Sequence, residues 1–165
     1  QNRTLTVREF NKCVDDYSDN LYRFVLKNIK DEDKAKDIIQ DTFEKFWNKK
    51  DDVQEGKEKS YLFTTAYHTL IDVTRKEKRQ GNFSEVKEES YSVDSQYSDL
   101  QEVLEEAINK LPEDQKAVIM LRDYEGYAYD EIAEITKLSE SQVKVYIFRA
   151  RKFLKQYLGS IEQVL

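Results

Sequence analysis

The sequence predicts an all-α protein of two small helical domains joined by a flexible linker, the second containing a helix-turn-helix. Three observations carry that expectation. Apolar residues recur at three- and four-residue intervals along most of the chain. Neither the strict alternation of strands nor any internal repeat is found. One Pro and four Gly in 165 residues leave too few turn-forming points for a β-rich fold.

Composition excludes several classes of function. With 39% hydrophobic and 36% charged residues, and a mean hydropathy of -0.82, the chain reads as soluble. No apolar run approaches the roughly 20 residues of a membrane span, so no membrane insertion is expected. No signal peptide opens the chain as given, although Gln1 in place of Met marks a trimmed or processed start. A single Cys13 excludes an internal disulfide, and with His68 as the sole histidine no transition-metal site can be assembled. No metal and no cofactor are expected, and the reducing cytoplasm is the expected compartment.

The net charge of -6 conceals a pattern. Residues 98–136 carry three bases against eleven acids, a balance of -8, and residues 137–165 carry six bases against two acids, a balance of +4. A second basic island, residues 73–80, balances at +3 through Arg75, Lys76, Lys78 and Arg79 against Glu77. Two basic islands in an acidic chain imply two polyanion contacts and a separate acidic surface.

Along the chain, Phe10, Val14, Tyr17, Leu21 and Val25 trace one face of a helix from about Val7 to Ile29. Thr6 and Glu9 form its capping box. A second helix is expected from about Asp33 to Trp47, with Ala35, Ile39, Phe43, Phe46 and Trp47 as its apolar side. Lys49 to Lys59 is polar, contains Gly56 and reads as a loop. Leu62, Ala66, Leu70 and Val73 then set a third helix from Tyr61 to Arg79. Residues 81–98 lack a sustained period and are rich in Ser and acids, which predicts the linker between a domain at 1–80 and another at 99–165. In the second domain an apolar stripe runs from Leu100 to Leu111, and Pro112 opens the next helix, which Gly126 ends. A short helix near Asp130–Thr136, a turn at Lys137-Leu138-Ser139 and a long helix to about Leu158 follow. Ser139 and Gln142 cap that last helix.

A short helix, a tight turn and a longer helix lay the second helix in a major groove. Ile132, Ala133, Leu138, Val143, Ile147, Ala150 and Leu154 pack this unit. Lys144, Arg149, Arg151, Lys152 and Lys155 present a phosphate-binding face, and Ser141, Gln142, Val145 and Tyr146 stand nearest the base edges. An amphipathic helix often has a merely solvated basic face. The preceding Glu131-Ile132-Ala133 unit and the turn spacing favour DNA docking.

The run Leu111–Lys144 (LPEDQKAVIMLRDYEGYAYDEIAEITKLSESQVK), continued by Arg149-Ala150-Arg151 and Leu154, resembles region 4 of bacterial sigma factors. Ala35–Trp47 (AKDIIQDTFEKFW) resembles the polymerase-binding helix of their region 2. Tyr61–Ala66, with Ile71, Asp72 and Arg75, is similar to the promoter-reading helix that follows it. The compact two-domain length resembles the extracytoplasmic-function (ECF) group.

The resemblance implies a protein without catalytic chemistry or a small-molecule substrate, whose partners are core RNA polymerase, promoter DNA and an anti-sigma factor. It implies that Asp37, Gln40, Asp41 and Glu44 dock on the polymerase. It implies minus-10 contacts from Tyr61, Tyr67, His68, Arg75, Lys76, Lys78 and Arg79, and minus-35 contacts from Ser141, Gln142, Lys144, Val145, Tyr146, Arg149 and Lys152. The chain departs from the family pattern at three places. Tyr67-His68 stands where an Arg-Asn pair is frequent, Val145-Tyr146 where Ser-Arg is common, and Ala128 where a Ser often caps the first helix of the motif. The alternative function is a helix-turn-helix regulator that is not a polymerase subunit, which leaves residues 1–80 without a role. An all-helical protein-binding adaptor is the third reading.

Overall fold

A computed structural model of the chain describes residues 4–80 and 96–164, and every regular element in them is helical. Helices α1 (Val7–Ile29), α2 (Glu32–Asn48) and α3 (Glu58–Gln80) pack each against the other two. Helix α4 (Gln96–Asn109) packs on α7 (Glu140–Val164), as do α5 (Glu113–Ile119) and α6 (Tyr129–Thr136). The expected linker lies outside the described residues except for its last three positions, with which α4 begins.

Local chemistry fixes the starts. The Thr6 hydroxyl accepts from the Glu9 amide at 3.1 Å, while the Glu9 carboxylate accepts from the Thr6 amide. Asp31 caps α2 by accepting from the Lys34 amide at 3.1 Å. Ahead of α7, Ser139 and Gln142 exchange the same reciprocal pair at 3.1 and 2.9 Å. Ala128 has no side-chain acceptor to offer α6, and the missing bond is half replaced: Glu131 accepts from the Ala128 amide at 3.0 Å.

The buried face of α2 is turned from the expected one. Ala35, Ile38, Thr42 and Phe46 are buried, and Ile39, Phe43 and Trp47 lie at the edge. Thr42 enters the core because its hydroxyl donates to the Ile38 carbonyl at 2.7 Å, leaving its methyl to pack. Phe10 of α1 covers the α2 edge, stacking on Phe46 at 5.5 Å and meeting Trp47 edge-on at 5.0 Å. In the second half, α5 is short. It passes into a π-helical turn over Met120–Tyr124 before Gly126, at φ 73°, reverses the chain. Helix α7 runs past the expected stop at Leu158, carrying Gly159 within it.

The two helical groups share one core because α3 lies against α6. Phe63 of α3 and Tyr127, both buried, meet edge-on at 5.2 Å. Around this apolar centre stand polar ties. Lys116 of α5 donates to the Asn28 carbonyl at 2.8 Å and to Asn109 at 3.0 Å. Lys78 pairs with Glu113 at 2.9 Å, Arg23 with Glu125 at 3.5 Å and Lys57 with Glu134 at 3.9 Å.

Candidate nucleic-acid interface

Helix α6, the left-handed residue Lys137 (φ 60°) and α7 form the expected helix-turn-helix. Ile132, Ile135, Val143, Ile147 and Ala150 close its interior. That packing fixes the phase of α7 and turns Ser141, Gln142, Lys144, Val145, Arg149 and Lys152 outward, all of them exposed. Tyr146 departs from the expectation: it is half-buried and packs against the core, because it lies one residue before Ile147 at the margin of the buried stripe. Arg151 is also committed, donating to Asp123 at 2.7 Å, so it braces α7 on the π-helical turn. Lys144 lies 3.6 Å from Glu140 on its own helix.

Sequence reasoning missed Phe148. It is 68% exposed, one turn beyond the 43% exposed Val145, and the two form an apolar strip amid the basic face. The available signal was its register: it falls three residues after Val145 and between the buried positions 147 and 150.

On α3, Arg75, Lys76, Lys78 and Arg79 are exposed near the helix C-terminus, where cations also complement the helix dipole. Tyr61 is half-buried, with its ring 5.8 Å from that of Phe46. His68 shares a shallow cleft with Lys45, Thr65, Asp72 and Lys137. Burial, and then Lys137, hold its imidazole below the ordinary value against the pull of Asp72. Its Nε2 is buried and has no hydrogen-bond partner among the described residues. Tyr67 is a correction to the expected stacking surface. It is 5% exposed, and its hydroxyl donates to Asp114 of α5 at 3.2 Å. Position 67 lies on the side of α3 turned toward the second helical group, so its ring is not open to a base.

On α2, Asp37, Gln40 and Glu44 are exposed on one face, as their three- and four-residue spacing requires. Asp41 is half-buried beside Lys45 at 3.2 Å, so it contributes less free negative charge than its neighbours. Cys13 is buried, and burial followed by Glu58 pushes its thiol up to about 11, which keeps it protonated and inert.

Residues 13–80 match the Sigma-70 region 2 family, and residues 101–154 match the family described as Sigma-70, region 4. The RNA polymerase sigma factor SigV of Bacillus subtilis (strain 168) is 31% identical over 146 residues, 87% of each chain. The ECF RNA polymerase sigma factor SigX of the same organism is 29% identical over 169 residues, covering 94% of this chain and 87% of that one. The chain belongs to the ECF group of sigma factors. A solved relative of this sigma factor is RpoE of Bartonella quintana, in complex with the anti-sigma factor NepR. It superposes with a TM-score of 0.76 at 30% identity, covering 93% of this chain and 98% of that one. The region 2 match gives residues 13–80 of the sigma factor the role that a free-standing helix-turn-helix regulator leaves empty. No described helix is long and apolar enough to cross a membrane.

Proposed function

We propose that this sigma factor binds core RNA polymerase through the α2 face and directs it to promoters read at two separated elements. The observation that carries the reading is the occurrence of both family regions, in order, on two helical groups that each expose a basic surface. The proposed division is a polymerase- and minus-10-binding domain at 1–80, a linker at 81–98 and a minus-35-binding domain at 99–165.

Asp37, Gln40 and Glu44 supply acidic and amide groups suited to a basic partner surface, with Asp41 in support. Arg75, Lys76, Lys78 and Arg79 neutralise phosphates of the minus-10 strand, and Tyr61 and His68 flank the cleft beside them. On α7, Arg149 and Lys152 hold phosphates, Ser141, Gln142 and Lys144 face the groove, and Val145 meets a thymine methyl. Each island alone makes few phosphate contacts in an acidic chain and binds weakly. Docking on one enzyme raises the effective concentration of each for its element. The sigma factor acts in the cytoplasm without bond-making chemistry of its own, a reading its sigma-factor relatives support. An anti-sigma factor competes with polymerase for the Asp37–Glu44 face, a pairing suggested by the complex of the Bartonella relative.

In vitro transcription with purified core polymerase and a promoter library tests this reading. Transcripts from a defined promoter class that depend on the added chain are expected. Tight binding of its full target duplex without polymerase, together with no association with core, overturns it.

A further inference from the structure

We propose that Leu5 is a positioning residue for minus-10 recognition: it straps the loop between α2 and α3, and so holds one wall of the cleft beside Tyr61 and His68 in place. This role deepens the promoter-binding reading of that cleft and rests on it.

Two polar stretches each carry a single apolar residue. Residues 1–6 (QNRTLT) hold only Leu5, and residues 49–57 (KKDDVQEGK), which join α2 to α3, hold only Val53. Both side chains are buried between exposed neighbours, and both belong to the core cluster although neither lies in a helix. The Leu5 amide donates to the Lys50 carbonyl at 3.2 Å, forty-five positions away. A polar surface loop with few buried contacts opens at little cost. Here one apolar anchor on each strand of chain, and a backbone bond between the two, fix its path.

The pinned point lies beside the cleft. Lys50 follows Asn48 and Lys49, which line the cleft together with Tyr61, Thr64 and His68. Its carbonyl takes the strap bond while its ammonium lies 3.5 Å over the Trp47 ring, so main chain and side chain are held at once. Five residues beyond Leu5, Phe10 stacks on Phe46 at 5.5 Å, and Phe46 in turn meets Tyr61 at 5.8 Å. The start of α1 therefore bears on both the loop and the first aromatic residue of the cleft. Arg75 stands about 21 Å farther along α3 than Tyr61, out of reach of this strap. Cations there hold any strand by its phosphates, whereas a fixed wall against the bases discriminates among sequences. Leu5 serves the second task and not the first.

The test uses the full chain with core polymerase and compares Leu5→Ala with Leu21→Ala, an equal truncation of the same core about 21 Å along α1 from Val7. Hydrogen exchange reads the loop through the Asp52 and Lys57 amides, which are bonded to the Lys49 and Gln54 carbonyls. Leu5→Ala is expected to speed their exchange at least about tenfold, and Leu21→Ala to leave them no faster than the rest of the first helical group. Transcription from promoters carrying single-base changes in either element reads selectivity. Leu5→Ala is expected to lower discrimination at the minus-10 element at least about fivefold, the worth of one base position, with discrimination at minus-35 unchanged. Leu21→Ala should lower output from all promoters alike. Leu5→Met keeps the apolar volume and should restore wild-type selectivity. Leu5→Val, shorter by one methylene, should shift both readouts part of the way at unchanged helicity. Loop exchange no faster than in Leu21→Ala, unchanged minus-10 discrimination, or equal losses at both elements overturns the strap. A wild-type chain without promoter-dependent transcription refutes the promoter-binding reading instead, and the exchange result still judges whether Leu5 holds the loop.

Discussion

Tyr127 stands edge-on to Phe63 at 5.2 Å between ring centroids, and its hydroxyl, although buried, has no hydrogen-bond partner among the described residues. An aromatic pair of this kind contributes about 1 kcal/mol beyond area burial, whereas an unpaired buried hydroxyl costs a similar amount. Tyr127→Phe keeps the first and removes the second. It is expected to stabilise the fold by about 1 kcal/mol in urea denaturation. A loss of stability would mean that the hydroxyl is paired in solution.

Lys116 sets a pH dependence. Its ammonium is pushed down from 10.5 to about 8, by burial first and by Lys30 next, with Glu113 opposing. Below pH 8 the cost of the buried cation is fully present. Above it the folded chain releases a proton that the unfolded chain keeps, so stability rises with pH, by about 2 kcal/mol up to pH 10. Beyond that, Tyr67 and Tyr127 act in reverse: burial raises both, so the unfolded chain ionises first and stability falls. Denaturation at a series of pH values should show the rise in the wild type and a flatter profile in Lys116→Met.

Arg149 and Lys152 are exposed on α7 and are not required for its packing. Arg149→Glu with Lys152→Glu should leave helicity intact and abolish promoter-directed transcription. For the assembled holoenzyme on promoter duplex, the logarithmic salt dependence of binding should weaken by about two units, one per lost phosphate contact. An unchanged salt slope would remove both residues from the interface.

The α2 face is tested by Asp37→Lys with Glu44→Lys. Both positions are exposed, so folding is spared, while the proposed partner surface now meets repulsion. Affinity for core polymerase in a direct titration should fall at least about tenfold, mostly through slower association. Unaltered affinity would place the polymerase contact elsewhere on the chain.

The helices themselves were legible because their phase and caps are local. Thr6 with Glu9 and Ser139 with Gln142 announce two of the starts, and the long aliphatic stripe through Val143, Ile147 and Ala150 fixes which side of α7 faces out. The seam of α2 is displaced by one step from its apolar pattern, since Thr42 counts as polar until its hydroxyl is seen bonded to Ile38. Tyr67 differs for another reason. Its fate depends on Asp114, forty-seven positions away, and no local pattern reports such a contact. Phe148 escaped notice because an aromatic residue in an amphipathic helix is ordinarily assigned to the core.

The wide turn at Met120–Tyr124 has a consequence for how this chain tolerates change in length. Met120 and Leu121 stay inside while Arg122 reaches the Tyr127 carbonyl at 2.9 Å and lies 4.4 Å from the Tyr129 ring centroid. The π-helical turn holds one residue more than an α-turn would, so deleting one residue there is expected to restore ordinary winding with the phase of the flanking segments kept, at the cost of these Arg122 contacts.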